Sequence, residues 1–260
     1  MKSLLLVDIG NTLIKIAMII TTNDSEIIEQ WAVIETKSKT AIVQLKKAFK
    51  LNKKLHFEEA VISCVVPNFL IIIEKLIVFT YNLKPLIVDF NLLSSLPLKL
   101  NLENRQLGSD LIALSYAAYT KYHNAIVVSL GTATTYSVVV NDVLVGVIIG
   151  PGFSTSKDAL IDNAALLVDF EMQHYQSMLG KNTNHALSIG YGYGFSAMIN
   201  SIVARIQNET NISLPVILTG GSVPILKSYF DFSYIYEPQM LFLGLVDIIK
   251  YFRSNNKIKD

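Results

Sequence analysis

Apolar residues along the chain fall into two kinds of run, and the order of these runs predicts an α/β protein. Short runs rich in β-branched residues, such as 3–9 and 12–20, predict buried strands. Runs with apolar residues every three or four positions, such as 155–168 and 184–207, predict helices. A short polar segment joins the first two strands, so we expect them to form a hairpin.

The same order of predicted elements occurs twice. DIGNTLIKIAMI in the first half aligns with SLGTATTYSVVV in the second half, which places Gly10 opposite Gly131. Each segment is followed by further strands that alternate with helices. The sequence therefore predicts a duplicated α/β domain, with residues 1–118 in one copy, residues 119–260 in the other, and the two equivalent turns facing each other across a cleft.

The overall composition excludes several classes of protein. The net charge is +1 and basic residues are not clustered, so we expect no nucleic-acid partner. The mean hydropathy of +0.42 is high, yet no apolar run approaches the about 18 residues of a membrane span. Cys64 is the only cysteine, which is typical of a reducing compartment. We expect a cytoplasmic protein with no membrane partner and a large apolar interface with another subunit.

The hairpin turns carry residues suited to phosphate. A glycine lets the backbone approach a ligand closely, and neighbouring amides and hydroxyls can donate to phosphate oxygens. Asp8 could hold the Mg²⁺ that accompanies a nucleotide, directly or through water. The simpler alternative is ordinary turn chemistry, because Gly, Asn and Thr are common in turns. The pairing of the two turns, together with Thr219–Gly221, favours phosphate binding.

Six motifs occur in an order that resembles the type III pantothenate kinases, a family within the acetate kinase, sugar kinase, Hsp70 and actin superfamily. They are DIGNT at 8–12, LGSD at 107–110, LGTATTY at 130–136, GVIIGPGF at 146–153, GKNTNHALSIG at 180–190 and TGGS at 219–222. The resemblance covers nearly the whole chain. It implies duplicated ribonuclease-H-like (actin-like ATPase) domains with a central cleft, a homodimer, and ATP-dependent phosphorylation of pantothenate, the first step of coenzyme A biosynthesis.

The resemblance also implies roles for individual residues. The ATP phosphates and their Mg²⁺ would be held by residues of the first and second turns, namely Asp8, Gly10, Asn11, Thr12, Lys15, Gly131 and Thr132. Pantothenate would be contacted by residues from three segments, namely Asn101, Gly108, Ser109, Asp110, Leu111 and Thr183. A monovalent cation, K⁺ or NH₄⁺, would lie at the position of Ser129.

Asp110 is the candidate catalytic base that accepts the proton of the pantothenate hydroxyl. Phosphoryl transfer to an alcohol needs such an acceptor, and an aspartate at the start of a helix can reach into a cleft. The alternative is a helix N-cap, which is a common use of aspartate. Both roles can coexist in one residue.

The chain departs from the family pattern at the acceptor site. The family carries an arginine where this chain has Leu111, and loss of such a charge-assisted contact costs about 1.5–3 kcal/mol. Arg105 or Lys157 could replace that charge. Asn101 and Asn104 stand where the family tends to have a tyrosine and a proline.

The second departure concerns the cation. The family has an aspartate at the position of Ser129, and a hydroxyl brings no charge, so we expect a weakened or missing cation site.

These departures leave two alternatives to a pantothenate kinase. One is a catalytically impaired nucleotide-binding homologue with a regulatory or interaction role, and the other is a kinase for another small alcohol.

Overall fold

The computed structural model describes residues 3–21, 26–102 and 106–255, and these form a mixed α/β fold. The strands are β1 (Leu4–Ile9), β2 (Leu13–Thr21), β3 (Glu26–Glu35), β4 (Glu59–Cys64), β5 (Leu86–Val88), β6 (Lys99–Leu100), β7 (Ala125–Leu130), β8 (Ala133–Val140), β9 (Val143–Pro151), β10 (Val216–Thr219) and β11 (Ile235–Tyr236). The helices are α1 (Ala41–Leu51), α2 (Pro67–Tyr81), α3 (Phe90–Leu93), α4 (Ser109–Tyr122), α5 (Phe153–Asn163), α6 (Thr183–Thr210), α7 (Val223–Leu226) and α8 (Met240–Ser254).

The chain divides into two compact units. Unit 1 contains the residues up to His123, Asp142–Val145 and the residues from Gln239 onward, and unit 2 contains Asn124–Asn141 and Gly146–Pro238. The predicted boundary after residue 118 lies close to the first division. The observed division differs from the prediction at the C-terminus, because α8 belongs to unit 1 instead of the second domain.

Helix α8 joins unit 1 through close packing against α4. A Cβ atom on Gly244 would lie 1.9 Å from the carbonyl oxygen of Ala113, so only glycine allows the two helices to approach this closely. The Thr120 hydroxyl of α4 also donates a hydrogen bond of 2.5 Å to the Asp247 carboxylate of α8. These contacts place the last helix of the chain against a helix that lies more than a hundred residues earlier.

The two units contain sheets with the same strand order. In unit 1 the order is β3-β2-β1-β4-β5, and the other sheet runs β9-β8-β7-β10-β11. In the first sheet β1 pairs antiparallel with β2 and parallel with β4. In the second sheet β7 pairs in the same way, antiparallel with β8 and parallel with β10. The duplication predicted from the sequence is therefore confirmed, with Gly10 and Gly131 at equivalent hairpin turns. Strand β6 extends the second sheet by pairing with Val143 and Leu144, which belong to unit 1.

Strand β1 is buried on both faces, which explains its continuous apolar sequence. Leu5, Val7 and Ile9 point to one face and join a core with residues of α1 and α2, such as Leu45 and Ile73. Because side chains alternate along a strand, the Asp8 side chain points to the opposite face. This is the one polar position of β1.

Two local predictions can be compared with the structure. The predicted turn at Asn141–Asp142 is confirmed, since both residues have positive φ, 49° and 63°, as a two-residue hairpin turn requires. The predicted helix at 155–168 is shorter than expected and ends at Asn163. No helix among the described residues is long and apolar enough to cross a membrane.

Candidate functional site

The first hairpin turn of unit 1 is held by hydrogen bonds on both of its sides. The Gly10 N–H donates to the carbonyl oxygen of Leu13 at 3.0 Å, and the Thr36 hydroxyl donates to the Gly10 carbonyl oxygen at 2.7 Å. The Thr36 N–H donates to the Thr12 carbonyl oxygen at 2.9 Å. Asn11 and Thr12 are exposed. The turn therefore has a fixed backbone, and it presents an amide and a hydroxyl outward.

Asp8 lies between Lys15 and Ser63 on three adjacent strands. It is paired with Lys15 of β2 in the antiparallel register and with Ser63 of β4 in the parallel register. Removal of water by the surrounding protein raises the pKa of Asp8 from 3.8 to about 7. The Lys15 ammonium lowers this pKa, the Asp110 carboxylate raises it, and a hydrogen bond from Ser63 lowers it. Two acidic side chains, Asp8 and Asp110, and one basic side chain, Lys15, therefore interact in one place, and all three were predicted from the sequence.

Asp110 lies in the first turn of α4. Its Oδ1 atom accepts a hydrogen bond of 2.8 Å from the Leu111 N–H, so the carboxylate occupies the amino end of the helix. A Cβ atom on Gly108, two residues earlier, would lie 2.6 Å from the same oxygen, so glycine at this position leaves room for the carboxylate. Burial raises the pKa of Asp110, and the backbone hydrogen bonds oppose that effect. The carboxylate thus caps free helix amides and also lies near Asp8.

The residues predicted to contact pantothenate are distributed over both units. Asn101 is exposed beyond β6, and its N–H donates to the Leu144 carbonyl oxygen at 3.0 Å. Leu111 is 5% exposed and presents only apolar atoms. Thr183 is the exposed first residue of α6 in unit 2, directly after the N-cap Asn182. Asn101, Gly108, Ser109, Asp110 and Leu111 belong to unit 1.

Arg105 and Lys157 were named from the sequence as residues either of which could replace the missing arginine charge. Lys157 belongs to unit 2, where its Nζ atom lies 2.6 Å from the Asp169 carboxylate and 5.0 Å from the centre of the Phe170 ring. This ammonium group already has an acidic partner. Arg105 lies outside the described residues, as does Asn104.

The second hairpin turn resembles the first in its hydrogen bonding. The Gly131 N–H donates to the Ala133 carbonyl oxygen at 3.1 Å. The Thr155 hydroxyl of α5 donates to the Thr132 carbonyl oxygen at 2.7 Å. A Cβ atom on Gly152 would lie only 2.1 Å from that same carbonyl oxygen. The GPG sequence before α5 therefore packs directly against the turn.

The TGGS motif lies against the same part of unit 2. Gly220 has a φ of +99°, and a Cβ atom there would lie 2.6 Å from the backbone of Leu130. The Ser222 N–H donates to the Leu130 carbonyl oxygen at 3.1 Å. Three of the sequence motifs in unit 2 thus meet around the end of β7, which places their glycines beside the second turn.

A polar cleft opens next to these motifs. It has a volume of about 600 Å³ and lies in unit 2, where it is lined by the start of α5 and by residues that follow the TGGS motif. Phe153, Lys157, Pro224, Ile225 and Ser228 contribute to its walls. Such a volume is in the range of small-molecule sites.

The candidate cation position, Ser129, lies within β7. It is paired with Thr135 of β8 and with Thr219 of β10. Its side chain is half-buried, and its strand neighbours contribute hydroxyls and no carboxylate. Within the described ranges, no three His, Cys, Asp or Glu side chains form a group that could hold a metal ion.

Sequence reasoning missed Ser63, and it placed GYGYG correctly within the predicted helix at 184–207. Ser63 is fully buried and contacts Asp8, and the available signal was a polar residue within the apolar strand EAVISC. The glycines of GYGYG lie inside α6, and a Cβ atom on Gly192 would lie 2.5 Å from the Tyr229 ring. The motif is therefore a helix-packing feature.

Comparison with known proteins gives relatives over almost the entire chain. A type III pantothenate kinase from Roseiflexus sp. (strain RS-1) is 33% identical over 259 residues, covering 96% of this chain and 100% of the relative. A Baf family protein from Campylobacter jejuni has a similar crystal structure, with a TM-score of 0.57 and 21% identity, covering 98% of this chain and 100% of that one. (R)-2-hydroxyglutaryl-CoA dehydratase component A from Acidaminococcus fermentans gives a TM-score of 0.54 at 10% identity, covering 99% of this chain and 100% of that one.

The structural similarities at low identity support the fold, and they confirm the actin-like ATPase architecture expected from the sequence. The family model described as type III pantothenate kinase matches residues 4–205, which include both hairpin turns and the start of α4. Together with the curated relative, this match extends well beyond half of the chain. The resemblance seen in the six motifs is confirmed, and the chain belongs to the type III pantothenate kinase family.

Proposed function

We propose that this protein transfers the γ-phosphoryl group of ATP to the primary hydroxyl of pantothenate, the first step of coenzyme A biosynthesis. The observation that carries this proposal is the grouping of Asp8, Lys15 and Asp110 in unit 1, within a chain of the type III pantothenate kinase family. The three residues supply an anionic metal ligand, a phosphate-binding cation and a proton acceptor. These are the groups that phosphoryl transfer to an alcohol requires.

Asp8 fits the role of a divalent metal ligand. It is a carboxylate held in a desolvated position, and Mg²⁺ is commonly bound by one or two carboxylates together with substrate phosphates. When bound, the ion would neutralise negative charge on the phosphates. The Lys15 ammonium, which lies next to Asp8, would contact phosphate oxygens, and the amides of Gly10 and Asn11 with the Thr12 hydroxyl would donate to them.

Asp110 would accept the proton of the pantothenate hydroxyl. As this oxygen bonds to the γ-phosphorus, the bond from phosphorus to the ADP oxygen breaks, and the hydroxyl proton passes to the Asp110 carboxylate. Its raised pKa makes the ionised form a better proton acceptor than an exposed aspartate. Asn101, Gly108, Ser109, Leu111 and Thr183 would contact pantothenate.

We assign the remaining ATP contacts to unit 2. Gly131 and Thr132 would contact phosphate oxygens, as the equivalent of Gly10 and its neighbours in the first hairpin. The polar cleft of about 600 Å³ beside the GPG and TGGS motifs has room for the nucleoside part of ATP.

The test of the proposed function is an ADP-release assay with ATP and Mg²⁺, with and without pantothenate. Pantothenate-dependent ADP release, with phosphopantothenate identified by mass spectrometry, is the expected result. A folded protein that binds ATP but gives no release would instead favour the nucleotide-binding regulator. ADP release that depends on another alcohol would favour a kinase for that alcohol. The specific reason to consider such a kinase is Leu111, which stands in place of the family's arginine.

The weakness of the cation site can be tested in the same assay. We expect the rates in K⁺, NH₄⁺ and Na⁺ to agree within about twofold, because Ser129 offers no charge to select among these ions. Ser129→Asp should make the rate several-fold higher in K⁺ than in Na⁺, measured at constant ionic strength. Ser201→Asp, at an exposed position of α6 outside the lining of the polar cleft, is the matched control. Strong selectivity for K⁺ in the unmodified protein would contradict this prediction.

The close contact at Gly152 predicts an effect on ATP binding. Gly152→Ala would place a methyl group 2.1 Å from the Thr132 carbonyl oxygen, so the second turn must move. We expect the ATP Kd, measured by isothermal titration calorimetry, to rise about tenfold or more, which corresponds to about 1.4 kcal/mol. The matched control is Gly146→Ala in β9, the strand that ends just before Gly152, where a Cβ atom would meet nothing within 4 Å. Equal affinities for the two variants would contradict the role of the second turn.

We also propose that the protein is a homodimer formed through an apolar face of unit 2. Leu166, Val168 and Leu179 in this unit are 96%, 76% and 78% exposed, which is unusual for such side chains. The same unit has an apolar groove of about 470 Å³ between α5 and α6. Gly190 and Gly194 line it four residues apart, so a second helix could approach closely.

Sedimentation velocity tests the dimer. The unmodified protein should sediment as a dimer, and Gly194→Glu should shift it to a monomer because a charge would enter the groove. Phe79→Glu on α2 is the matched control, since Phe79 is an exposed apolar residue of unit 1 (91%) outside the proposed face. A monomeric unmodified protein would contradict the proposal.

The cytoplasmic location remains a prediction from the sequence.

A further inference from the structure

Two buried serine hydroxyls connect the two carboxylates of the candidate site. Ser63 at the end of β4 is 0% exposed, and Ser109 at the start of α4 is 5% exposed. Their Oγ atoms lie 3.1 Å apart. The Ser109 Oγ atom accepts a hydrogen bond of 2.7 Å from the Cys64 N–H, and Ser63 is hydrogen-bonded to the Asp8 side chain. A continuous row of polar groups therefore extends from the first turn of α4 to Asp8.

The direction of the hydrogen bonds in this row follows from the available protons. An ionised Asp8 can only accept, so the Ser63 hydroxyl must donate its single proton to it. Ser63 then has no proton left for Ser109, and the Ser109 hydroxyl must be the donor in the bond between them. The remaining bond, from the Cys64 N–H, ends on the Ser109 oxygen as acceptor. Every donor and acceptor in the row is used in one consistent order.

These hydrogen bonds affect the relative position of Asp8 and Asp110 in the candidate site. Asp8 and Asp110 carry like charges and raise each other's energy when both are ionised, as the interaction at Asp8 indicates. A link is needed to hold the strand that carries Asp8 and the helix that carries Asp110 at a constant distance. Ser109 directly precedes Asp110, and the bonds from Ser109 to Cys64 and Ser63 fasten the first turn of α4 to β4.

We propose that Ser63 and Ser109 are positioning residues for phosphoryl transfer, which hold Asp8 and the Asp110 helix turn together through one directed chain of hydrogen bonds. The proposal rests on the proposed kinase function and adds to it two residues that act through Asp8 and Asp110. This positioning role needs no contact with ATP, and for Ser109 it is separate from the pantothenate contact proposed above. Loss of either serine should therefore affect the rate of the chemical step more than the binding of ATP.

The alternative is that the two serines only satisfy each other inside the core. Ser115 offers a matched control, because it is a fully buried serine of the same helix whose hydroxyl has no hydrogen-bond partner among the described residues. Ser115→Ala removes the same atom as the test variants at a distance of nearly two helical turns from Ser109. It should leave kcat and both KM values unchanged.

The experiment compares Ser63→Ala, Ser109→Ala, the double variant and Ser115→Ala in the ADP-release assay. We expect each test variant to lower kcat about tenfold at saturating pantothenate, with KM for ATP within about twofold of the unmodified protein. Because the chain is broken by either change, the double variant should be no slower than about the slower single variant. Thermal unfolding verifies that each variant is folded, and Ser109→Ala carries the test alone if Ser63→Ala does not fold.

Several results would overturn the proposal. Unchanged kcat in folded Ser109→Ala would mean that the two serines only pack in the core. If the fall in kcat of the double variant equals the product of the two single effects, the serines act independently. If the unmodified protein gives no pantothenate-dependent ADP release, the proposed function itself fails. The positioning role is then measured by amide hydrogen exchange, where Ser109→Ala should speed exchange of the Cys64 N–H several-fold, and exchange as slow as in Ser115→Ala would overturn it.

Discussion

Replacement of Asp8 by asparagine is expected to lower kcat about a thousandfold while the protein remains folded. The amide has nearly the same shape but no charge, so it cannot balance the charge of a divalent cation that bridges the ATP phosphates. Removal of one preorganised electrostatic contact in an active site typically costs a factor of about 10²–10³ in kcat. The ADP-release assay with saturating ATP, pantothenate and Mg²⁺ measures this loss.

The same substitution should increase stability at alkaline pH. The pKa of Asp8 is raised from 3.8 to about 7 because burial penalises the charged form, so the folded protein binds this proton more tightly than the unfolded chain. The stabilising contribution of the protonated group is complete below about pH 4 and is lost as the pH rises towards about 7. The free energy of unfolding of Asp8→Asn should therefore exceed that of the unmodified protein by up to about 4 kcal/mol at pH 8, and by little at pH 4.

Urea unfolding at the two pH values measures this difference. Asp247→Asn is the matched control, because Asp247 is a partly buried acid of unit 1 whose pKa is also raised, mainly by burial, and it bonds to Thr120. This control should retain kcat. Normal turnover by Asp8→Asn would remove Asp8 from the phosphate and metal site. Loss of both activity and stability at pH 8 would show that the amide disrupts the fold.

Replacement of Asp110 by asparagine is expected to lower kcat by about 10²–10⁴ with little change in the Kd for ATP. A general base contributes a factor of this size, and the amide cannot accept a proton at neutral pH. Burial raises the pKa of Asp110, so this base becomes protonated earlier as the pH falls. The unmodified enzyme should therefore begin to lose activity at a higher pH than it would with an ordinary carboxyl group as the base. This acidic limb of the pH–rate profile should disappear in Asp110→Asn.

Asp89→Asn distinguishes a catalytic base from a helix cap. Asp89 is the N-cap of α3 and accepts a hydrogen bond of 2.7 Å from the Leu92 N–H, without any part in the candidate site. Asp89→Asn should lose about 1 kcal/mol or less, since asparagine is also a good cap, whereas Asp110→Asn should lose no stability at alkaline pH because burial already disfavours the charged form of Asp110. Only Asp110→Asn should lose turnover. Equal kcat values for Asp110→Asn and the unmodified protein would assign Asp110 to capping alone.

The prediction of secondary structure succeeded where local patterns are strong. The hairpin around Gly10, its equivalent around Gly131 and the tight turn at Asn141 were all visible, because alternating apolar runs and turn residues are local properties of the chain. The duplication was visible for the same reason, since two copies of one pattern repeat their order of elements. The end of α5 was not predicted well, because its last residues lack a clear stop signal.

The candidate site was only partly visible in the sequence. Asp8, Lys15 and Asp110 could be named from motifs, and the structure brings these three together. Ser63 could not be named, because its importance depends on the parallel register between β1 and β4, which places it beside Asp8 although fifty-five positions separate them. A serine within an apolar strand carries no such information by itself.

The sequence by itself determined the α/β class, the repeated strand order and the family, since these depend on patterns and motifs that are contiguous along the chain. Only the tertiary structure decided that α8 returns to unit 1, because the fit of Gly244 against Ala113 is a contact between distant segments. It also decided the hydrogen-bond chain from Ser109 to Asp8. Local propensity fixes elements, whereas the contacts between elements depend on shape, register and burial that no single segment contains.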